Sequence, residues 1–214
     1  MVRQGMVVSI MVLMFSAVQA QQSAPPVGDL STQLATCATC HGSEGQGGVG
    51  DYPHLAGLGE TYLRRQLDAF ASGKRANAVM APQAKALSEQ QRAALARYFS
   101  QVSLDTDAGA TVATVDDVND AGRTLATEGR WEQGIPACIQ CHGEKGVGIG
   151  DSFPSLAGQP ERYLQDQLKA WRSGTREGGP MGLMSDIAKA LSGEDLQAVA
   201  QYFSSLAPKG ANHE

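Results

Sequence analysis

Long basic runs, alternating apolar–polar stretches and a second long apolar segment are all missing from this chain. Each absence removes a class of protein. Without a basic run, and with a formal charge of −5, there is no electrostatic footprint for nucleic acid or an anionic lipid surface. Without period-two alternation there is no half-buried strand, so the 214 residues read as all-α. The one long apolar stretch, Met6 to Val18, is shorter than the ~20 residues that span a bilayer. It follows Arg3 and precedes Val18-Gln19-Ala20, the layout of a secretory signal peptide cleaved after Ala20. Residues 1–20 are therefore set aside, and the mature protein is expected to be soluble and exported.

What the chain does contain is itself, twice. Cys37-Ala38-Thr39-Cys40-His41-Gly42 recurs 101 positions later as Cys138-Ile139-Gln140-Cys141-His142-Gly143. At the same offset Pro53 meets Pro154, Leu55-Ala56-Gly57 meets Leu156-Ala157-Gly158, and Tyr62-Leu63 meets Tyr163-Leu164. Gln66-Leu67, Phe70 and Ser72-Gly73 meet Gln167-Leu168, Trp171 and Ser173-Gly174. Three inserted residues then move the offset to 104, where Met80 meets Met184, Leu87-Ser88 meets Leu191-Ser192, and Tyr98-Phe99 meets Tyr202-Phe203. The repeat divides the chain into a first domain (21–104), an Asp-rich linker (105–119), a second domain (120–208) and a tail (209–214) that includes His213. Tyr62, Leu63, Gln66, Leu67 and Phe70 share one face of a helix ending near Gly73. Leu95, Tyr98, Phe99 and Val102 keep a similar spacing, in a helix that Ser88 and Gln91 start as a capping box. Ser192 with Asp195 repeats that start. Each unit is small for a core that folds unaided, so something else is expected to fill its centre.

All four cysteines lie in the two C-x-x-C-H motifs. Two disulfides, or a zinc site built from the C-x-x-C pairs, would use the cysteines. Neither explains why His follows the second Cys directly in both copies. Covalent attachment of haem c does: two thiols on one helical turn reach both vinyl groups, and the next residue is aimed at the iron. Two haem c groups are therefore expected, on Cys37/Cys40 and Cys138/Cys141, with His41 and His142 as iron ligands. A thioether is the usual second axial ligand where the potential is to be high. Beyond the signal segment only Met80, Met181 and Met184 remain. Met80 has no competitor in its half. Counting forward from the haem motif picks Met181, 39 residues after His142 as Met80 is 39 after His41; counting back from the last helix picks Met184, seven before Leu191 as Met80 is seven before Leu87. Extra residues are absorbed cheaply in the Gly-rich stretch 174–179, so Met184 is the expected ligand and Met181 a neighbour. His54 has Ser155 as its counterpart and reads as a loop or haem-edge residue. The paired aromatics, Tyr98-Phe99 and Tyr202-Phe203 included, read as core, and Arg64, Arg65, Lys74 and Arg75 as solvated surface that could also meet haem propionates.

From about Leu30 to Leu206 these features resemble the cytochrome c4 family of bacterial dihaem cytochromes. The resemblance rests on C-x-x-C-H-G, P-x-L-A-G, Y-L-x-x-Q-L, the Met loop and the final Y-F helix, all present twice. It implies two tandem class-I-like cytochrome c domains related by internal duplication and an approximate two-fold axis, with the haems near their interface. It implies that the Pro53 and Pro154 carbonyls accept from the proximal histidines. It also implies a periplasmic electron carrier, with no bond chemistry of its own, between a quinol-oxidising complex or other donor and a terminal oxidase or reductase. Membrane association would then be peripheral, through those partners. The alternatives are the dihaem subunit of a flavin-containing sulfide dehydrogenase and, against the Met in both halves, a dihaem peroxidase.

Overall fold

The computed structural model describes residues 30–47, 50–103 and 120–208. The expected signal peptide, linker and tail, His213 included, lie outside the described residues. Nine α-helices account for most of what is described. In the first half, α1 (Leu30–His41) ends on the first haem motif; α2 (Glu60–Ser72), α3 (Met80–Ala86) and α4 (Glu89–Gln101) follow. In the second half, α5 (Asp120–Thr127) is separated from the short motif helix α6 (Ile139–His142), and α7 (Glu161–Ser173), α8 (Leu183–Ala190) and α9 (Gly193–Ser205) repeat α2 to α4. Among the described residues there is no strand, only isolated two-residue bridges.

Local chemistry explains the boundaries. Helices α2 and α7 stop where Gly73 and Gly174 take a left-handed conformation that residues with a Cβ resist. Ser88 accepts from the Gln91 backbone N–H while the Gln91 side chain accepts from the Ser88 N–H. Ser192 and Asp195 do the same for α9, so both expected capping boxes form. The first core joins Leu58 and Leu63 to Leu95, Ala96 and Phe99, with Leu34 and Cys37 packed against them. The second half has two clusters, Leu125, Ile135, Leu191, Leu196 and Val199, and Ala126, Leu164, Ala200, Tyr202 and Phe203.

One aromatic departs from its expected place. Tyr202 is buried, but its counterpart Tyr98 is 36% exposed. The difference comes from α5. Gly122 lets that helix lie directly on α9, where an added Cβ would overlap the Ala198 carbonyl and sit 3.1 Å from Tyr202 Cβ. Among the described residues, α1 contains no glycine and makes no such close approach over Tyr98.

The halves are joined by paired polar contacts. Asp151 accepts from the Thr61 backbone N–H (2.9 Å) and hydroxyl, and its carbonyl accepts from Tyr62 N–H (3.0 Å). Arg75 and Arg176 face each other in an antiparallel bridge, flanked by Ala76 N–H to Thr175 O (2.8 Å) and Glu177 N–H to Lys74 O (2.6 Å).

Candidate functional site

The four cysteines form no disulfide. Among the described residues, no three His, Cys, Asp or Glu side chains gather as a zinc site requires. Burial pushes the Cys37 thiol up and the Cys138 thiol up to about 11. Each motif winds as a helical turn: His142 N–H bonds Cys138 O at 2.9 Å, and in α1 the residues Cys37, Cys40 and His41 span little more than one turn.

Both motif histidines are buried and oriented. His41 Nδ1 lies 2.8 Å from Pro53 O, and His142 Nδ1 lies 2.9 Å from Pro154 O. A carbonyl can only accept, so Nδ1 carries the proton in each ring and the Nε2 lone pair faces the other way. Burial lowers the pKa of both rings, and the proline carbonyl opposes that only in part, so each imidazole is neutral and able to ligate. Fixing the tautomer through the far nitrogen is how a ligating imidazole is held in place.

In the second half a largely apolar cavity runs past Cys138, Cys141, His142 and Met184 and on to Trp171 and Arg176. Met184, in the first turn of α8, is on its wall. Met181 is not: it sits in a three-residue 3-10 turn (Pro180–Gly182) at φ 52°, 87% exposed. In the first half Met80 begins α3, half-buried, with its N–H bonded to Asn77 Oδ1 at 2.8 Å. An apolar cavity that brings two thiols, a tautomer-fixed imidazole and a thioether together fits a covalently held, six-coordinate haem. A buried indole N–H without a partner, Trp171 Nε1, on the same wall suits a group with acceptor oxygens.

The comparisons with known proteins agree. The cytochrome c family profile matches residues 31–103 and 120–207. A cytochrome c4 of Pseudomonas aeruginosa is 36% identical over 81% of this chain and 85% of its own length. The chain belongs to the cytochrome c4 family. Its relatives also include a "thiosulfate dehydrogenase electron acceptor" of Stutzerimonas stutzeri, 42% identical over 85% of this chain and 84% of that protein. The crystal structure of reduced cytochrome c4 from Pseudomonas stutzeri superimposes with a TM-score of 0.70 at 31% identity, covering 86% of this chain and all of that one. A thiosulfate dehydrogenase from Marichromatium purpuratum gives 0.70 at 41% identity over 78% of this chain, which spans 36% of that longer chain. As a cytochrome c4 the protein carries covalently attached haem c and is an electron-transfer protein, not an enzyme.

The reading of one side chain needs correction, and that of another gains a role. Arg75 is not solvated surface. It is 6% exposed, stacked over the Phe70 ring at 4.4 Å and bonded to Gln66, Tyr163 and Gln167. His54 lies in a loop, as expected, and is part of the joint. It is 4% exposed between the halves, donating from Nε2 to Ala157 O (3.2 Å) and accepting at Nδ1 from Gln159 Nε2 (3.2 Å). Burial lowers its pKa to about 4. Arg176, Asp151 and Gln159 escaped the sequence reading altogether. Arg176 need not have: the 101-residue offset runs on to pair it with Arg75 before the insertion begins.

Proposed function

We propose that this cytochrome c4 is an exported, periplasmic dihaem acceptor for electrons released by thiosulfate oxidation, which it hands to the respiratory chain. The observation that carries this is the pattern of identity. Relatives named thiosulfate dehydrogenase electron acceptors match at 42–43%, against 32–36% for those named cytochrome c4. In this reading Cys37, Cys40, Cys138 and Cys141 attach the haems. His41 with Met80, and His142 with Met184, would hold the two irons. Burial of both histidines, their bonds to Pro53 and Pro154, and the place of Met184 on the cavity wall support that assignment. Held between a histidine and a methionine, each haem would supply one-electron transfer and offer no open position to a substrate. The domains are taken as 21–104 and 120–208, with 105–119 between them. Export rests on Arg3, the apolar run and Ala20; no helix among the described residues is long and apolar enough to cross a membrane.

The test is reduction of the oxidised dihaem protein by a purified thiosulfate dehydrogenase and thiosulfate, followed in the visible spectrum. Fast, complete reduction of both haems is expected. No reduction beyond that given by thiosulfate alone, together with fast reduction by a quinol-oxidising complex, returns the protein to the general respiratory carrier that its cytochrome c4 relatives suggest.

A further inference from the structure

The seam between the halves holds a charge imbalance that no described residue resolves. Arg75 and Arg176 stand opposite one another in the bridge, and both are buried, at 6% and 3% exposure. Their guanidinium groups share one set of neutral partners. Arg75 donates to Gln66 Oε1 (2.9 Å), Tyr163 Oη (3.0 Å) and Gln167 Oε1 (2.5 Å). Arg176 donates to Gln167 Oε1 (2.9 Å), Tyr62 Oη (3.3 Å) and Gln66 Oε1 (2.8 Å). Among the described residues, no carboxylate forms an ion pair with either; Glu177, the next residue along, is exposed.

Like charges placed opposite in a bridge are destabilising, and a buried cation without a counter-charge is costly. Amide and phenol oxygens meet hydrogen-bonding needs but not charge. Burial and the neighbouring Arg75 both disfavour the Arg176 cation, yet a guanidinium does not shed its proton in proteins. Two anions are therefore called for, one per arginine, and the fold says where they come from. Arg176 lies on the wall of the cavity that contains Cys138, Cys141 and His142, beside the unpartnered Trp171 N–H and stacked 3.7 Å over the Trp171 ring. Arg75 occupies the matching place in the first repeat, over Phe70.

We propose that Arg75 and Arg176 are cofactor-binding residues, each holding one propionate carboxylate of the haem in its own half. This rests on the dihaem reading and extends it to the acidic end of each cofactor. A guanidinium's planar fork matches a carboxylate, and shielding that negative charge favours the reduced iron, which carries one positive charge fewer. The same two ion pairs would turn the repulsion across the bridge into an attraction that ties the halves together.

The test uses the dihaem holoprotein. Arg176→Gln is expected to weaken reduction of one haem at least tenfold, a fall of about 59 mV in its midpoint potential for one electron. Arg75→Gln should do the same to the other haem, and Arg176→Lys should keep part of the effect, retaining charge without the fork. A pyridine haemochrome count of two haems per chain with both potentials unchanged in Arg176→Gln overturns the proposal while leaving the carrier reading intact. If that variant does not mature, a crystal structure of the unaltered holoprotein decides. Propionate oxygens within hydrogen-bond distance of Arg75 and Arg176 support the proposal, and propionates pointing away from both reject it.

Discussion

Replacing Gly59 by alanine tests the joint between the halves without touching either core. Gly59 precedes α2 at φ −56°, ψ 139°, a conformation alanine adopts freely, so backbone strain plays no part. Space does. A methyl there would overlap the Asp151 carbonyl oxygen and stand 2.7 Å from its carbon, across the seam. Ordinary carbon contacts need about 3.5 Å, so the second half must retreat by roughly 0.8 Å. That retreat stretches Thr61 N–H to Asp151 Oδ2, now 2.9 Å, and Tyr62 N–H to Asp151 O, now 3.0 Å, past hydrogen-bond length. At about 1 kcal/mol for each of these exposed bonds, the halves lose roughly 2 kcal/mol of docking energy, near a thirtyfold change in the docking equilibrium. In a chain of this size that lowers the melting temperature by about 4–8 °C. Differential scanning calorimetry of the dihaem protein should show the single transition moving down and broadening or splitting. Asp151→Ala, which removes the carboxylate without a wedge, should lose part of the same energy. A Gly59→Ala protein that melts at the unaltered temperature in one sharp transition would refute the reasoning.

Haem-stained denaturing gels should retain colour in the unaltered protein, and a pyridine haemochrome assay should count two haems per chain. Cys40→Ser or Cys141→Ser should each weaken attachment at its own site only. Met184→Ala should abolish the near-infrared Met-to-iron band of one haem and lower its potential. Met181→Ala, at an exposed position, should leave the band alone and change stability by no more than about 0.5 kcal/mol; the reverse pattern overturns the assignment. His54 gives a pH prediction. Its folded pKa of about 4 lies below the ordinary 6.5, so between these values the unfolded chain binds more protons and stability rises with pH. Going from pH 7 to 5 should cost roughly 2 kcal/mol through this ring. In paired urea titrations His54→Gln should flatten that slope, and an equally steep slope in the variant would count against a buried, neutral His54.

The sequence alone was enough for features that obey a local rule. The haem motifs, the capping boxes at Ser88 and Ser192, and the glycines closing α2 and α7 depend on spacing along one stretch of chain. Helix periodicity turns such spacing into geometry directly. The tertiary structure decided what depends on cover from elsewhere. Tyr98 and Tyr202 are the same residue in the same helix pattern, yet among the described residues Tyr202 alone has a helix, α5, seated over it through a glycine, Gly122. Arg75 reads as a surface cation until the second repeat brings Arg176, Tyr163 and Gln167 against it. His54 has no counterpart in the repeat and looked incidental, but Ala157 and Gln159, more than a hundred residues away, make it part of the joint. Burial and pairing between distant segments are set by how the two copies dock, and no local pattern records that.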